Sequence, residues 1–178
     1  MAESNPTQPA GIDKEAIRAA ARNLEDGPVT AGYKGDRTAV IKMLNDALAT
    51  ELVCVLRYKR HYYTVSGLQN GPIKAEFLEH AQQEQEHADS LAERIVQLNG
   101  QPDFNPATLL ERSHAEYDAS EDVQAMIRAN LIAERVAIES YRQMIEQIGD
   151  TDPTTRHLLI SIMAVEEEHA DDMRDLLG

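Results

Sequence analysis

The chain has 178 residues, of which 42% are hydrophobic, and this is enough to build one domain around a single core. It carries 17 basic and 31 acidic residues, a net charge of -14, so its surface is expected to repel nucleic acid and to attract metal cations. No apolar run approaches the roughly 18 residues of a membrane span, and the N-terminus lacks the apolar stretch of a secretory signal. The only cysteine, Cys54, excludes an intrachain disulfide. Together these features predict a cytoplasmic protein with no membrane partner.

The first 35 residues predict an N-terminal arm. Prolines and glycines interrupt this stretch at Pro6, Pro9, Gly11, Gly27, Pro28, Gly32 and Gly35. One short helix, from Asp13 to Leu24, fits between them. A basic set within it, Lys14, Arg18 and Arg22, is the one feature that could bind nucleic acid despite the net charge. We therefore divide the chain into an arm with a short helix, residues 1–35, and a bundle domain, residues 36–178, and we expect the arm to contact a neighbouring subunit.

Two long helices are predicted in the first half of the bundle domain. Residues 36–66 contain no glycine or proline, and apolar residues recur there at steps of three and four. Two glycines follow, and Pro72 suits the first turn of a second helix. This helix is expected to extend to about Leu98, where Asn99 and Gly100 stop it.

Two further helices are predicted after a long connection. Residues 101–119 contain two prolines and break the helical periodicity. A third helix then extends from about Ser120 to Ile148, and a fourth, capped by Asp152, extends to about Leu177. Four helices of about 25 to 30 residues specify an all-α four-helix bundle. Because the long connection can run the length of the bundle, we predict a topology with one crossover, between the second and third helices.

Ionisable residues interrupt the inward, apolar face of each predicted helix. The first and third helices carry one glutamate there, whereas the second and fourth carry Glu-x-x-His: Glu51, Glu134, Glu84 with His87, and Glu166 with His169. Residues three apart lie on one helix face. Four uncompensated carboxylates in a core would each cost several kcal/mol, so a positive charge must lie among them. Two divalent cations would balance the four carboxylates, and this ligand set is the one used by di-iron and di-manganese bundles.

An internal repeat supports this interpretation. ATELVCVLRY, residues 49–58, aligns with IAERVAIESY, residues 132–141, so that the lone glutamates coincide at an offset of 83 residues. The two Glu-x-x-His pairs are offset by 82. Two related helical hairpins would bring their equivalent ligands to one point. A third pair, Glu111 with His114, lies in the connection, and we predict it to be solvated.

The ligand pattern resembles that of bacterioferritin and its ferritin-like relatives over residues 37–178. The run ELVCVLRYKRH is especially similar, because bacterioferritins carry a tyrosine seven residues and a histidine ten residues after the first glutamate; here these are Tyr58 and His61. The resemblance implies a ferroxidase, in which a centre of two iron ions per subunit oxidises Fe(II) with hydrogen peroxide or oxygen. The Fe(III) product is then stored as mineral in a hollow homo-oligomeric shell. The implied ligand roles are terminal for Glu51 and Glu134, bridging for Glu84 and Glu166, and one nitrogen each from His87 and His169.

Two departures from bacterioferritin affect the expected cofactor and assembly. Gln85 stands where bacterioferritins carry a haem-binding methionine, so no haem is expected. The sequence ends at Gly178, nine residues after His169, without the fifth C-terminal helix that bacterioferritins place at the fourfold axis of a 24-subunit cage. In this respect the chain resembles Dps-like proteins with a bacterioferritin-type centre. We therefore favour a shell of 12 subunits over one of 24.

Three alternatives remain open from the sequence. A haem-bearing 24-subunit bacterioferritin is the first. The second is a soluble di-metal oxidase or a manganese catalase, which would store no mineral; manganese or zinc are alternative occupants of the same ligands. The third is a DNA-protecting shell protein, which the net charge of -14 disfavours.

Five further residues are candidates for supporting roles: Tyr58, Tyr141, His61, His80 and Cys54. The two tyrosines lie two helical turns from Glu51 and Glu134, close enough to hydrogen-bond a ligand; the alternative is a simple core tyrosine. His80, one turn before Glu84, either receives incoming iron or fills the rim of the bundle. His61 either binds iron on its way to the inner cavity or is a surface residue. Cys54 either approaches the metals or packs in the core.

Overall fold

The computed structural model describes residues 11–178, so the first ten residues of the predicted arm lie outside the described residues. The chain divides after Tyr33 into two compact units. The predicted boundary between residues 35 and 36 lies two residues beyond this division.

Within residues 11–33 of the first unit the chain forms one short helix, α1, which spans Lys14–Ala20. The carboxylate of Asp13 accepts hydrogen bonds from two backbone N–H groups of its first turn, which explains why the helix begins there. The helix ends four residues before Leu24, so it is shorter than predicted. The expected contact between the arm and a neighbouring subunit stays a prediction.

The second unit is a bundle of four long helices. They are α2 (Arg37–Thr64), α3 (Gly71–Gln97), α5 (Val123–Ile148) and α6 (Pro153–Leu177), with the one-turn helix α4 (Leu109–Arg112) inside the long connection. The four helices predicted from apolar periodicity are therefore confirmed. The periodicity did not indicate α4 or a 3-10 turn at Leu68–Asn70. Residues 11–178 contain no β-strand, and none of their helices has the length and apolar content needed to cross a bilayer.

Side-chain caps and backbone conformation explain the helix ends. Asp36, Asp122 and Asp152 precede α2, α5 and α6, and each carboxylate accepts a hydrogen bond from the backbone N–H three residues further on. After α3, Asn99 adopts a positive φ of 61°. A Cβ atom on the following Gly100 would lie 2.9 Å from Cγ2 of Ile41, so the chain leaves α3 in close contact with α2.

The four long helices form two hairpins. α2 packs along α3 and α5 packs along α6, and the hairpins meet through contacts of α2 with α5 and of α3 with α6. Tyr58, Phe77, Met126 and Met173, one from each long helix, are buried together in the apolar core at one end. This arrangement is the predicted four-helix bundle.

The long connection follows α2 from near its start to near its end. Four α2 side chains bond to it, in the same order along both segments: Asn45 to Gln101, Thr50 to His114, Arg57 to Glu116 and Arg60 to Ala119. The first and last of these contacts, at Asn45 and Arg60, are 15 residues apart on α2 at about 1.5 Å per residue, so the connection spans about 22 Å of the bundle. These contacts are the ones expected for the predicted single crossover.

Candidate metal centre

Each long helix buries one glutamate at the middle of the bundle. Glu51, Glu84, Glu134 and Glu166 are at most 1% exposed, and each interrupts an otherwise apolar inward face. Helical periodicity explains this burial, because the glutamates occupy core positions of the same stripes that pack the helices together. Four carboxylates in a dry interior require compensation by protons or cations.

The six predicted ligands come together in two overlapping groups. The first group contains Glu51, Glu84, His87 and Glu166, and the second contains Glu84, Glu134, Glu166 and His169. Within each group, one potential ligand atom per residue lies within 4.8 Å of all the others. Two glutamates, Glu84 and Glu166, belong to both groups. Such an arrangement can hold two metal ions that share these two carboxylates.

Most of the potential ligand atoms have no hydrogen-bond partner within the described part of the chain. The atoms without a well-formed hydrogen bond are Oε2 of Glu51, Oε1 of Glu84, Oε2 of Glu134, both carboxylate oxygens of Glu166 and Nδ1 of His169. Of these, Oε1 of Glu166 lies 2.9 Å from Nδ1 of His87 and is its ion-pair partner when that ring is protonated. Buried polar atoms are normally satisfied, and an unsatisfied one costs about 1 to 3 kcal/mol. Six such atoms around one point fit a pair of cations, because coordination would satisfy all of them.

Both histidines present Nδ1 to the carboxylates. His169 shares a 2.8 Å hydrogen bond between Nε2 and Oε1 of Gln83, so Nε2 carries the hydrogen and the lone pair of Nδ1 faces inward in the neutral ring. The same Nδ1 lies 3.5 Å from Oε2 of Glu166. Nδ1 of His87 lies 2.9 Å from Oε1 of Glu166 and 3.3 Å from Oε2 of Glu84. The sequence did not single out Gln83, although it lies one turn before His87 at the edge of the inward face.

The pKa values of the two shared glutamates are raised when no cation is bound. Burial raises the pKa of Glu84 well above the usual range, and the charges of Glu166, Glu134 and Glu51 raise it further. Burial and the charge of Glu51 raise the pKa of Glu166 to about 7. These carboxylates therefore compete for protons that a metal ion would replace.

The two histidines behave in the opposite way, because carboxylates surround them. Burial alone would lower the pKa of His87, but its contacts with carboxylates, of which Glu166 contributes most, raise it to about 12. Burial also opposes protonation of His169, yet Glu134 and Glu166 raise its pKa to about 9. Glu134 itself has a pKa lowered to about 2, since His169 and Arg57 outweigh the effect of burial. Metal ions must therefore displace protons from both imidazoles.

Two tyrosines donate hydrogen bonds to Glu51 and Glu134, the two glutamates that each belong to only one ligand group. The hydroxyl of Tyr58 donates a 2.5 Å hydrogen bond to Oε1 of Glu134, and the hydroxyl of Tyr141 donates to Oε1 of Glu51. Burial, followed by the charge of the partner glutamate, raises the pKa of both tyrosines, so both hydroxyls stay protonated. Each tyrosine reaches the glutamate of the opposite hairpin. The two halves of the internal repeat therefore exchange equivalent tyrosine–glutamate hydrogen bonds between the hairpins.

Arg57 is a buried cation beside the centre, and the sequence pattern did not predict its role. It is fully buried, its Nε donates a 2.9 Å hydrogen bond to Asn130, and its Nη2 lies 3.7 Å from Oε1 of Glu134. Burial opposes its charge, but Cys54 and Glu134 raise its pKa above the ordinary value, so it remains charged. A signal was present, because Arg57 shares a helix face with Cys54 and His61.

His61 and Cys54 are buried outside the two groups. His61 is fully buried, with Nδ1 3.1 Å from Oδ1 of Asn130 and Nε2 3.2 Å from Oδ1 of Asp118, so the alternative of a surface residue is wrong. Cys54 packs against Ala115 and Ala133, and burial raises the pKa of its thiol. Neither residue belongs to a group of potential metal ligands among residues 11–178.

His80 and the third Glu-x-x-His pair complete the candidates. His80 is buried, and its ring stacks on that of His169 with centroids 4.0 Å apart, so it lies next to the centre. Glu111 and His114 are exposed on the connection, as predicted, and belong to no group of potential ligands in the described chain.

Comparison with known proteins places this site in a family. Residues 41–178, which include all six predicted ligands, match the family of ferritin-like domains. The chain belongs to the ferritin-like family. This ferritin-like protein is 31% identical to the nutrient stress-induced DNA-binding protein of Synechococcus sp., over 71% of this chain and 74% of that protein. It is 28% identical to the bacterioferritin of Desulfovibrio desulfuricans, over 78% of this chain and 75% of that protein.

Solved ferritin-like structures resemble the chain over its bundle. The dodecameric thioferritin of Bacteroides fragilis, a bacterioferritin-related protein, shares 32% sequence identity at a TM-score of 0.77, covering 81% of this chain and 87% of that chain. The bacterioferritin of D. desulfuricans, whose structure contains a diiron site, shares 25% identity at a TM-score of 0.71, covering 79% of each chain. The resemblance predicted from the ligand pattern is confirmed. The chain is a ferritin-like protein, and its clusters of carboxylates and histidines can hold metal.

Proposed function

We propose that this ferritin-like protein is a ferroxidase that oxidises Fe(II) and stores the Fe(III) product. The observation that carries the proposal is the pair of overlapping ligand groups, with six unpartnered buried atoms around their shared glutamates. The ligand roles follow from membership of the groups. Glu84 and Glu166 bridge two ferrous ions, Glu51 and Glu134 are terminal ligands, and His87 and His169 supply one nitrogen each.

The charges and electron count suit this activity. Two ferrous ions bring four positive charges against the four carboxylates, and together they supply two electrons, which reduce one hydrogen peroxide and two protons to two water molecules. Peroxide is thereby consumed without release of a hydroxyl radical. Carboxylate ligands favour the oxidised ions, because they stabilise the added positive charge. Oxygen is the alternative oxidant.

Neighbouring side chains orient the ligands. Tyr58 and Tyr141 each fix one oxygen of a terminal glutamate, which leaves the other oxygen, Oε2 in both cases, directed at the centre. Gln83 orients the ring of His169. Because these positions are set before a cation binds, little reorganisation accompanies binding.

Storage requires an assembly with an interior. The likeness to a dodecameric thioferritin supports a shell of 12 subunits. The glutamine at position 85 supports a shell without haem. Some relatives are named as DNA-binding proteins, but a net charge of -14 opposes binding of duplex DNA by the assembled protein.

The first test is kinetic. Metal-free protein receives two ferrous ions per chain and limiting peroxide, and the rise of ferric absorbance is followed by stopped flow. Glu84→Gln and His169→Gln are expected to oxidise iron at least about tenfold more slowly than wild type, because each loses a ligand. Glu111→Gln is the matched control, since it changes the glutamate of the solvated third pair. If the two ligand variants oxidise iron as fast as the control, the assignment of the centre is wrong.

The second test concerns storage. The protein is loaded with about 50 ferrous ions per chain under limiting peroxide and then analysed by size exclusion with light scattering and iron counting. Tens of ferric ions per chain on a particle near 238 kDa, twelve chains of 19.8 kDa, are expected. A particle near 475 kDa would instead support 24 subunits. Two metal ions retained on a monomer or dimer would exclude storage and favour a soluble di-metal enzyme.

A further inference from the structure

A third group of potential metal ligands lies beside the candidate centre. His80 is on α3, one turn before Glu84, and Glu76 is one turn before His80. Asp172 is on α6, three residues after His169. One ligand atom from each of Glu76, His80 and Asp172 lies within 4.8 Å of the other two.

Hydrogen bonding determines which nitrogen of His80 is free. The hydroxyl hydrogen of Tyr58 is committed to Glu134, so the Tyr58 oxygen can only accept from Nδ1 of His80, which lies 3.1 Å away. In the neutral ring Nδ1 therefore carries the hydrogen, and the lone pair is on Nε2. This atom lies 3.3 Å from Oε1 of Glu76 and 3.4 Å from Oδ2 of Asp172. A lone pair that faces two carboxylate oxygens is repelled by both, unless a proton or a metal ion lies between them.

The environment concentrates negative charge at this point. Partial burial raises the pKa of Glu76, and the charges of Asp172 and Glu79 raise it further. The group also connects the core to the solvent, because the His80 side chain is 2% exposed whereas those of Glu76 and Asp172 are 33% and 44% exposed. A hydrated ion can therefore reach the carboxylates first and the imidazole next.

We propose that Glu76, His80 and Asp172 form a third divalent-cation site, which holds a metal ion next to the dinuclear centre. One imidazole and two carboxylates suit Fe(II), Mn(II), Co(II) and Zn(II), and water completes the coordination on the exposed side. The ring of His80 stacks on His169, so the ion is separated from the dinuclear centre by the two rings. Delivery of this ion to the centre is the role we assign to the site, and that role alone rests on the proposed ferroxidase function.

The binding test counts redox-inert metal. Full-length, metal-free protein is equilibrated with Zn(II) by dialysis, and bound zinc per chain is measured by elemental analysis. Wild type is expected to bind three zinc ions and Glu76→Gln/Asp172→Asn two. The matched control, Glu79→Gln/Asp171→Asn, removes the same two charges from the adjacent exposed positions and is expected to keep three. Equal numbers of bound zinc ions in wild type and in the ligand variant would overturn the site, whatever number the dinuclear centre holds. Circular dichroism checks that all variants are folded.

The delivery test uses the same variants. With Zn(II) affinity at the two remaining sites unchanged, Glu76→Gln/Asp172→Asn is expected to lower the initial rate of Fe(II) oxidation about threefold or more at limiting iron, while the control keeps the wild-type rate. An unchanged rate would overturn the delivery role. If wild type itself does not oxidise iron, the proposed function fails, whereas the zinc count still decides whether the third site exists.

Discussion

Tyr58 and Tyr141 illustrate how single residues prepare the centre. Each donates its hydroxyl to a buried glutamate of the opposite hairpin, Glu134 for Tyr58 and Glu51 for Tyr141, and each is itself buried. The bond satisfies one oxygen of the carboxylate and leaves the second for a cation. Arg57 adds a fixed positive charge 3.7 Å from Glu134, which helps to keep that carboxylate ionised.

Removal of either hydroxyl should weaken the centre. In Tyr58→Phe or Tyr141→Phe, one oxygen of Glu134 or Glu51 loses its donor in a dry core. We expect a loss of about 1 to 3 kcal/mol in stability and Zn(II) binding about 10- to 100-fold weaker. Competition with a chelating dye measures the affinity. Tyr63→Phe is the control, because Tyr63 is 78% exposed, and an affinity equal to that of this control would contradict the prediction.

Among the helices, contacts at the helix ends help to set how the faces that carry the predicted ligands are oriented towards each other. Asp152 caps α6, and its carboxylate also accepts a 3.0 Å hydrogen bond from Nη2 of Arg94 in the last turn of α3. This buried ion pair joins the end of one ligand-bearing helix to the start of the other. At the same end of α3, Gly100 allows the chain to turn in contact with Ile41 of α2.

Gly100→Ala should therefore disturb the contact between α2 and the end of α3. The added methyl would lie 2.9 Å from the Ile41 side chain, so this side chain or the helices must shift, and we expect the free energy of unfolding to fall by about 1 kcal/mol or more. Gly71→Ala is the matched control, because its φ of -52° is helical and no atom lies within 4 Å of the added methyl. That control should melt at or slightly above the wild-type temperature. The prediction fails if Gly100→Ala has the same melting temperature as the Gly71→Ala control.

At the scale of the whole molecule, the centre makes stability depend on pH. The pKa values of His87, about 12, and His169, about 9, in the folded state exceed the roughly 6.5 of an unfolded histidine. Protonation of both rings therefore stabilises the folded, metal-free protein fully below about pH 6.5. This stabilisation is lost as the pH rises through about 9 for His169 and towards 12 for His87. Because the pKa of Glu166 is raised to about 7, loss of its proton also destabilises the folded protein as the pH rises, but at lower pH than for the histidines.

The melting temperature of metal-free protein should therefore fall between pH 7 and pH 9. Each histidine contributes at most about 1.4 kcal/mol per pH unit while it is protonated only in the folded state. Calorimetry at constant ionic strength, in the presence of a chelator, measures the decline. The zinc-loaded protein should show a flatter dependence, because metal replaces the protons. A melting temperature that rises over this range without metal would show that the histidines are not held as imidazolium ions.

The residue pattern along the chain was enough to predict the four long helices, the long crossover and the six inward ionisable positions. These features are local or periodic: a stripe of apolar residues at steps of three and four defines both the helix and the face that it buries. Glu51, Glu84, Glu134 and Glu166 lie within such stripes, so their burial could be predicted without coordinates. The family could be predicted for the same reason, because its motif consists of glutamates and Glu-x-x-His pairs whose spacings lie within single helices.

Contacts between residues of different helices could not be predicted from this pattern and are seen only in the packed bundle. That Glu84 and Glu166 belong to both ligand groups, and that Tyr141 reaches Glu51, depends on the rotation and offset of each helix against its neighbours. The same holds for the contact of Arg57 with Glu134, which the sequence pattern did not predict. It also holds for the contact of Asp172 on α6 with His80 on α3. Spacing along one helix does not contain these distances, because close packing of side chains between helices sets them.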